Sequence, residues 1–481
     1  MRNIRLLTFA IMSLFIVASC SDDDSFTLST SNVLTFGTDT VMMDTVFSKV
    51  PTPTKKFWIY NESGDGIRCV NVRLQNGNQT GYRVNVDGVY LSPEMGFQTS
   101  DVEIRDNDSI CVFVELTAPL NGKEYPQLHE DELVFMLESG VVQKVNLRAY
   151  TWDAEFINNL RIKNDTLISG GKPKIVYGGI TVDSLATLRI APGTTLYFHA
   201  NAGIDVYGQL LCEGTPENNI VLRGDRMDNM FDYLPYDLVS GQWKGLYFHS
   251  SSYDNLIQHT DIHSTFDGIV CDSSDVSRQK LALYNSTVHN CQGYGLKAVS
   301  SIVDVRNCQI SNTLNDCVAV FGGGILLQHC TLAQFYPFDS RRGAALSFTN
   351  FYGDYPCPLY QLDCINSIVT GYSDDVIMGS QKDTVADFSY RFINSILRTP
   401  EITDSTRIFN VKWEDVEDTT SVSGHKHFKL VDIDTQHYDF HLDSVSTAID
   451  SAFVDYALPT DHDGRSRDEH PDVGCYEFFK E

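Results

Sequence analysis

Aromatic and arginine side chains are concentrated between residues 335 and 355. Tyr336, Arg341, Arg342 and Tyr352 lie in this segment, together with further phenylalanine, tyrosine and aspartate residues. Aromatic rings bind sugar rings because they offer apolar area beside groups that make directed hydrogen bonds. The segment therefore predicts a glycan-binding surface. The alternative is that its rings pack down as local core, and the same choice applies to DRMDNMFDYLPYDL at residues 225–238.

The stretch SNTLNDCVAV at residues 311–320 is the main candidate for glycan cleavage. It resembles the Asn-Thr-x-Asp and Asp-Asp-Cys stretches of β-helical polygalacturonases, which need several carboxylates to protonate the leaving group and activate water. Asn315 occupies the place of the first Asp of the pair, which leaves Asp316 alone. The later Gly-His-Gly and Arg-Ile-Lys elements of that family are also absent. The sequence therefore assigns no catalytic residue here.

A polysaccharide lyase would need a cation that holds a uronate carboxylate and a base that removes the neighbouring proton. Arg341 and Arg342 with His329 or Tyr336 could be arranged in that way, but their spacing does not favour this over solvated charges. A lyase or a glycoside hydrolase is therefore the alternative function. A non-catalytic glycan-binding or adhesive role is the favoured one.

No stretch of the sequence has the residue spacing of a metal or cofactor site. Residues 461–464 read DHDG, but Arg465 stands where a calcium loop needs an oxygen ligand, so we expect a polar turn. His425 and His427 have no third ligand nearby, and no two cysteines have zinc-site spacing. The sequence predicts no metal site and no cofactor.

A repeat of about 22 residues specifies the elements that would position these side chains. Its fixed point is an Asn or a His, which we number zero: His259, Asn285, Asn307, His329, Asn366 and Asn394. An apolar residue stands two places before each of them, a small residue one place after and an aliphatic residue three places after. Side chains of a straight strand alternate between its two faces, so residues at positions −2, +1 and +3 cannot all point to the core along one straight strand. The chain must therefore bend at position zero. Asn adopts the left-handed backbone that such a bend needs.

The repeat also predicts which side chains face the core. Val305, Cys308 and Ile310 should be buried, and Arg306 and Gln309 should be exposed. Cys308 occupies the same place in its repeat as Cys330. We expect both to be stacked core thiols, and a disulfide between neighbouring coils is the alternative.

Coils of this length with an Asn at one corner resemble those of the right-handed parallel β-helix. Residues 191–224 and WKGLYF at 243–248 resemble the opening coils of bacterial β-helix lipoproteins. The resemblance implies a right-handed parallel β-helix over residues 155–450, followed by a C-terminal capping segment at 451–481.

Coils stacked about 4.8 Å apart would align the residues at position −1 in one exposed column that could follow a polysaccharide chain. This column contains Gln258, Tyr284, Arg306 and Gln328. The aromatic segment at 335–355 would then wall one side of the groove. The predicted glycan-binding residues are Tyr284, Arg306, Tyr336, Arg341, Arg342 and Tyr352.

Residues 28–150 contain short alternating apolar runs separated by polar breakers such as NESGDG and NGNQTG. About seven such runs predict a β-sandwich. The run KKFWIYNESGDGIRCVNV followed by DNDSICVFVEL resembles the immunoglobulin-like modules of bacterial surface proteins. The predicted fold class is thus all-β, with an immunoglobulin-like β-sandwich followed by a right-handed parallel β-helix solenoid.

Residues 1–20 have the composition of a signal peptide, with two arginines before an apolar run that is too short to span a membrane. VASC at residues 17–20 resembles a bacterial lipobox, which implies a lipidated Cys20 as the mature N-terminus. The alternative is an ordinary cleaved signal with an incidental Cys. Residues 21–27 would form an acidic tether, and the acidic run resembles the export tag of Bacteroidota surface lipoproteins. The resemblance implies an outer-membrane protein that faces the cell exterior.

The chain carries a formal net charge of −27. This charge argues against nucleic acid and anionic lipid as partners, because both would be repelled. The expected partner is a polysaccharide or cell-surface glycan, with the membrane contacted through the lipid anchor alone.

Overall fold

The computed structural model of the chain describes residues 25–382, 384–418 and 420–480. The predicted signal peptide and Cys20 lie outside the described residues. The regular secondary structure of the described residues consists of strands and short 3-10 helices, which confirms the predicted all-β class. The 3-10 helices are Gly77–Gln79, Pro93–Met95, Tyr236–Leu238, Gly424–His427 and Val454–Tyr456. No helix within the described residues has the length and apolar character needed to cross a membrane.

The chain divides into two compact units between Asp153 and Ala154, and the first unit contains two sheets. One sheet consists, in spatial order, of Thr35–Phe36, Lys55–Tyr60, Ser109–Leu116, Tyr82–Val86 and Val89–Tyr90. The other consists of Thr40–Phe47, Val142–Trp152, Gln127–Leu137, Ile67–Leu74 and Gln98–Thr99, with Val102–Ile104 also paired to Ile67–Leu74. Apolar side chains of both sheets form one core. This is the arrangement of a β-sandwich, and an immunoglobulin-like relationship stays a prediction.

The second unit is a parallel β-helix whose strands form three faces, which we name A, B and C. Face A contains Thr166–Ile168, Thr187–Ile190, Gln209–Glu213, Asn255–Gln258, Gln279–Tyr284, Leu359–Ile365, Arg391–Ile393 and Ile408–Phe409. Face B contains Thr195–Phe198, Ile220–Gly224, Thr260–His263, Thr287–Cys291, Gln309–Thr313, Thr331–Gln334, Ile368–Gly371, Ile396–Leu397 and Lys412–Trp413. Face C contains Ile204–Val206, Leu246–Phe248, Ile269–Cys271, Leu346–Thr349 and Ile377–Ser380.

Four longer strands turn a corner and serve two faces each. Glu155–Ile162 and Lys174–Val182 run along face B and continue along face C. Leu296–Arg306 and Val318–Gln328 run along face C and continue along face A. The chain therefore visits the faces in the order A, B, C, except near its end, where no described face C strand lies between Ile396–Leu397 and Ile408–Phe409.

The corner between faces A and B is formed by the Asn and His residues at position zero, as the repeat predicts. Their φ angles are 41° at His259, 48° at Asn285, 51° at Asn307, 51° at His329, 51° at Asn366 and 48° at Asn394. The left-handed backbone at these positions shifts the alternation of side chains by one residue, so the apolar residues on both sides of the bend point inward. Val305, Cys308 and Ile310 are accordingly buried without exposed surface.

The core thiols are free and stacked. Cys308 and Cys330 are both buried and form no disulfide. Burial raises the pKa of Cys308 to about 12, so the group behaves as a small apolar side chain. The prediction of stacked core cysteines is confirmed for this pair.

The prediction that Gln309 is exposed is wrong. Gln309 does point away from the core, yet it is only 8% exposed. The reason is the C-terminal segment, since the hydroxyl of Tyr476 donates to Oε1 of Gln309 at 2.8 Å. A residue distant in sequence covers this part of face B.

The solenoid ends earlier than the sequence predicts. Its last parallel strand is Lys412–Trp413, whereas Phe428–Asp432 and His437–Leu442 form an antiparallel hairpin within the range predicted as coils. The segment predicted to cap the end instead lies along the side of the solenoid. The side-chain amides at position zero donate to its backbone, from Asn285 to the carbonyl of Asp461 at 2.9 Å and from Asn394 to that of Ser451 at 2.7 Å.

Candidate functional site

Face C presents the outward side chains that could contact a ligand along several coils. In the strand Leu246–Phe248 the two end residues are buried and Tyr247 points outward. Strand register places Tyr247 opposite Val270, Val270 opposite Lys297, and Lys297 opposite Ala319. These residues therefore form one column whose rungs are about 4.8 Å apart. Tyr247 and Lys297 are partly exposed in it, whereas Val270 and Ala319 are buried.

Gly245 allows this column to form where the chain enters face C. Its φ is 96°, and a Cβ atom there would lie 1.6 Å from the carbonyl oxygen of Asp267 in the next coil. Only glycine fits so close an approach of two backbones. The strand that carries Tyr247 is thereby held in register with the coil below it.

Lys297 lies at the centre of a group of aromatic rings. Its Nζ is 5.4 Å from the ring centroid of Tyr294, 5.9 Å from that of Phe321 and 5.2 Å from that of Tyr352. The same ammonium donates to the hydroxyl of Tyr352 at 3.2 Å. Phe321 and Tyr352 also meet edge to face at 5.1 Å. These contacts hold the rings in place, since cation–π and edge-to-face pairs are both attractive.

Further rings continue this group toward the earlier coils. The ring centroids of Tyr247 and His249 are 4.5 Å apart. The ring of His249 stacks on that of Tyr207, with their centroids 3.8 Å apart and an interplanar angle of 4°. Asp205 fixes the imidazole, since its Oδ1 lies 3.0 Å from Nε2 of His249. Tyr207, Tyr247 and Tyr352 are 38%, 37% and 41% exposed. We name the rings of Tyr207, His249, Tyr247, Tyr294, Phe321 and Tyr352, with Lys297, the aromatic strip.

Of the six predicted glycan-binding residues, only Tyr352 belongs to the aromatic strip. Tyr284 and Arg306 are in register on face A, so their predicted stacking is observed. Both are engaged with Asp304: the hydroxyl of Tyr284 donates to its carboxylate at 2.8 Å, and Arg306 donates twice at 2.8 and 2.9 Å. Burial and the Asp304 carboxylate raise the pKa of Tyr284 to about 12. The pair forms a local network on another face.

The other three predicted residues lie at the corner between faces B and C. Tyr336 is only 5% exposed, because its hydroxyl meets Oγ of Ser240 at 2.9 Å. Arg342 donates to the carbonyl of Tyr336 at 2.9 Å, whereas the side chain of Arg341 is 89% exposed. The prediction that the six residues line one groove is therefore wrong. Tyr336 of the aromatic segment at 335–355 instead contacts Ser240, which follows the segment at 225–238.

Asp316, the lone carboxylate of the stretch that resembles polygalacturonases, accepts hydrogen bonds from other residues of the protein. Asp316 accepts from the backbone N–H of Ala344 at 2.7 Å and from the hydroxyl of Ser347 at 2.6 Å. The carboxylate thereby anchors the loop that precedes strand Leu346–Thr349. Asp461 likewise accepts from the backbone N–H of Arg465 at 2.8 Å, which closes the polar turn expected at residues 461–464.

The structure also assembles a group of ionisable side chains on face B that sequence spacing did not reveal. Oδ1 of Asp261 lies 2.9 Å from Nδ1 of His263 and 3.2 Å from Nε2 of His289. Although burial opposes the charge, the carboxylates of Asp261 and Asp237 raise the pKa of His263 to about 9. The pKa of Asp261 is lowered because the two imidazoles outweigh the effect of its burial. His425, in contrast, is exposed, while His427 is buried beside Glu414.

Comparison with known proteins supports the fold. Residues 153–332 match the family model described as "Right handed beta helix region". Together with the parallel sheet, this match shows that the second unit is a right-handed parallel β-helix, as predicted. No curated protein sequence matches the chain significantly.

Solved structures resemble parts of the chain at low identity. A protein of unknown function from Porphyromonas gingivalis has 11% identity and a TM-score of 0.19, over 26% of this chain and 48% of that one. A family 123 glycoside hydrolase from Clostridium perfringens has 9% identity and a TM-score of 0.19, over 26% and 30%. The A-module of the mannuronan C-5 epimerase AlgE6 from Azotobacter vinelandii has 11% identity and a TM-score of 0.25, over 55% and 84%. The chain thus spans half or less of the first two, and TM-scores this low carry no argument about activity.

Proposed function

We propose that this protein is a cell-surface lipoprotein that binds a polysaccharide along face C without cleaving it. The observation that carries the proposal is the aromatic strip, in which Tyr207, Tyr247 and Tyr352 expose rings on successive parts of one face. Exposed rings beside polar groups are the usual means by which proteins hold sugars.

The spacing of the strip suits a chain-like ligand. Tyr247 and Lys297 are two rungs apart in register, which corresponds to roughly 10 Å. One rung is close to the length of a sugar residue, and the rungs next to Lys297 hold the buried Val270 and Ala319. A polysaccharide parallel to the solenoid axis would therefore contact Tyr247 and Lys297 at every second step. Insertions at solenoid corners are common places for function, and the hairpin of Phe351–Tyr352 and Tyr355–Pro356 supplies one ring of the strip.

The charge of the region favours a neutral glycan. Lys297 is the cation at the centre of the strip, but it is already engaged with three rings. Asp205 lies next to Tyr247 in register, and the chain as a whole carries a net charge of −27. A polyuronate would be repelled by this surface.

Binding to a panel of immobilised neutral and acidic polysaccharides tests the proposal. We expect the variant with both Tyr247→Ala and Tyr352→Ala to bind the retained glycan about 10- to 100-fold more weakly, in line with about 1–3 kcal/mol for two stacked rings. The matched control replaces Tyr284 and the exposed Tyr360, both on face A, by Ala. Equal loss in the control, or wild-type binding in the face C variant, would refute the site.

Glycan cleavage is a second candidate, and Asp267 is the observation that favours it. Burial raises the pKa of the Asp267 carboxyl, although Lys297 and the backbone N–H of Tyr294 oppose the shift. A carboxyl with a raised pKa beside a sugar-binding surface is what a glycosidase needs in its general acid. New reducing ends that disappear in Asp267→Asn would establish cleavage, and retention without new ends supports binding.

The lipid anchor at Cys20 and the exterior-facing location complete the proposal. They are supported by the VASC sequence at residues 17–20 and by the acidic run that follows it. The immunoglobulin-like relationship of the first unit is supported by its two-sheet sandwich.

A further inference from the structure

We propose that Asp261, His263 and His289 on face B bind a divalent transition-metal cation. The site is separate from the aromatic strip, and the inference does not depend on glycan binding. The donor atoms of these three side chains all lie within 4.8 Å of one another. Two imidazoles and one carboxylate are a donor set typical of zinc and related first-row ions.

Strand geometry explains why the three side chains converge. Asp261 and His263 are two residues apart in strand Thr260–His263, so both point to the outer side of face B. His289 lies directly opposite His263 in the next coil. The two rings are stacked with their centroids 4.9 Å apart, which is close to the spacing of neighbouring strands.

Two of the three distances between donor atoms are close to those around a tetrahedral ion. Oδ1 of Asp261 is 2.9 Å from Nδ1 of His263 and 3.2 Å from Nε2 of His289. Ligand bonds of the length found for zinc place neighbouring donor atoms about 3.4 Å apart. The two imidazole nitrogens lie within 4.8 Å of each other. Rotation of the two rings would bring all three donor atoms to this spacing around an ion.

The side chains around these donors are those that a metal site needs. The other ring nitrogen of His263, Nε2, lies 2.8 Å from Oδ1 of Asp237. Arg223 contacts the same carboxylate at 2.8 Å, and the hydroxyl of Ser264 donates to the backbone carbonyl of Asp237. A carboxylate that accepts from the second nitrogen of a metal-binding His fixes its tautomer and raises its affinity for the ion. Asp237 and Arg223 thus orient His263 toward the proposed ion.

One of the three proposed ligands is buried, and the other two are partly exposed to solvent. The side chain of His263 is 7% exposed, whereas those of His289 and Asp261 are 20% and 36% exposed. The buried imidazole supplies a fixed point, and the exposed side leaves room for the ion to enter and to keep bound water. Three protein ligands with an open position form the pattern of a reactive rather than a purely structural zinc site.

Metal titration of the full chain after treatment with a chelator tests the proposal. We expect one equivalent of Zn²⁺ by calorimetry, and one equivalent of Co²⁺ with the visible absorption of a four-coordinate ion. His289→Ala should weaken binding at least about 10-fold, and Asp261→Asn should do the same. Zn²⁺ should also raise the melting temperature of the wild type, and the rise should grow with the logarithm of the ratio of free Zn²⁺ to the dissociation constant.

The matched control is His199→Ala, because His199 also lies beside an aspartate, Asp225, but belongs to no group of three metal-ligating side chains among the described residues. This control should bind both ions as the wild type does. His289→Gln, which keeps a polar group of similar reach, guards against a variant that fails to fold. No binding by the folded wild type would overturn the proposal. Binding that survives in folded His289→Gln and Asp261→Asn would also overturn it, and would indicate adventitious ions.

Discussion

Asn366 donates a hydrogen bond from its side-chain amide to Nε2 of His329, and the two atoms are 3.0 Å apart. The other ring nitrogen, Nδ1, lies 3.2 Å from the carbonyl oxygen of Gly474. The imidazole therefore accepts on one side and donates on the other, which only the neutral ring can do. Burial lowers the pKa of His329 well below its ordinary value, in agreement with this state. Asn366 also accepts from the backbone N–H of Phe453 at 2.9 Å, so one network joins the corner and the C-terminal segment.

Substitutions of Asn366 should separate two contributions to stability: the tolerance of a left-handed backbone and the hydrogen bonds of the side chain. We expect Asn366→Gly to lower the free energy of unfolding by about 1–3 kcal/mol, because it removes the side-chain hydrogen bonds but tolerates the φ of 51°. Asn366→Ala should cost about 1–2 kcal/mol more, since alanine is strained in the left-handed region. Denaturant titration measures both. Equal stability of the two variants would contradict the role assigned to the bend.

Val305 tests the register of the repeat. It is buried between Leu283 and Leu327 of the neighbouring coils. Val305→Asp places a charge in the core and should lower the free energy of unfolding by at least about 3 kcal/mol. The same change at the exposed Tyr360 should cost no more than about 1 kcal/mol. Thermal unfolding of the two variants at the same midpoint would show that the inward and outward positions are misassigned.

The fold could be predicted because the repeat determines side-chain direction residue by residue. The positive φ at each Asn or His of position zero, and the burial of Cys308 and Ile310 after Asn307, follow directly from its parity change. The end of the solenoid could not be placed in the same way. Its last strands, Ile408–Phe409 and Lys412–Trp413, are two residues long and carry little periodicity.

The candidate site was largely missed because it depends on contacts between coils. Three strands of face C begin directly after a glycine, in the segments GLYF at 245–248, GIVC at 268–271 and GLKA at 295–298. The side chain of the third residue of each segment points away from the core. This pattern marks each outward residue, but loops of unequal length hide which of them share a column. Tyr336 was misplaced for a related reason, since its burial requires Ser240, 96 residues earlier.

Cys20 should determine attachment to the membrane. Cys20→Ala removes the predicted acyl-bearing thiol, and stable anchoring requires two or more acyl chains. We expect the variant to leave the membrane fraction in a cell fractionation experiment, with the wild type retained there. Cys111→Ala, which changes a cysteine of the sandwich, serves as the control and should leave fractionation unchanged. An unchanged membrane fraction for Cys20→Ala would refute lipidation at this residue.

Asp472 should make stability fall as the pH rises. Its carboxyl is 2% exposed, and burial raises its pKa from 3.8 to about 7, even though the backbone N–H groups of Asp450 and Phe478 donate to it. Glu477 adds to the rise and Arg467 opposes it. Between the two pKa values the folded state holds a proton that the unfolded state has lost. The contribution of this group is therefore fully present below about pH 4 and is lost by about pH 7.

Denaturant unfolding between pH 4.5 and 8 measures this contribution. The slope attributable to one such group is at most about 1.4 kcal/mol per pH unit. Asp472→Asn keeps the shape but cannot titrate, so we expect its stability to fall less steeply with pH than that of the wild type, whatever its stability at pH 4.5. Asp455→Asn changes an exposed carboxyl in the same segment and should retain the wild-type slope. If Asp472→Asn and the wild type fall in parallel, Asp472 is charged in the folded state throughout this range, because its backbone donors and Arg467 then outweigh its burial.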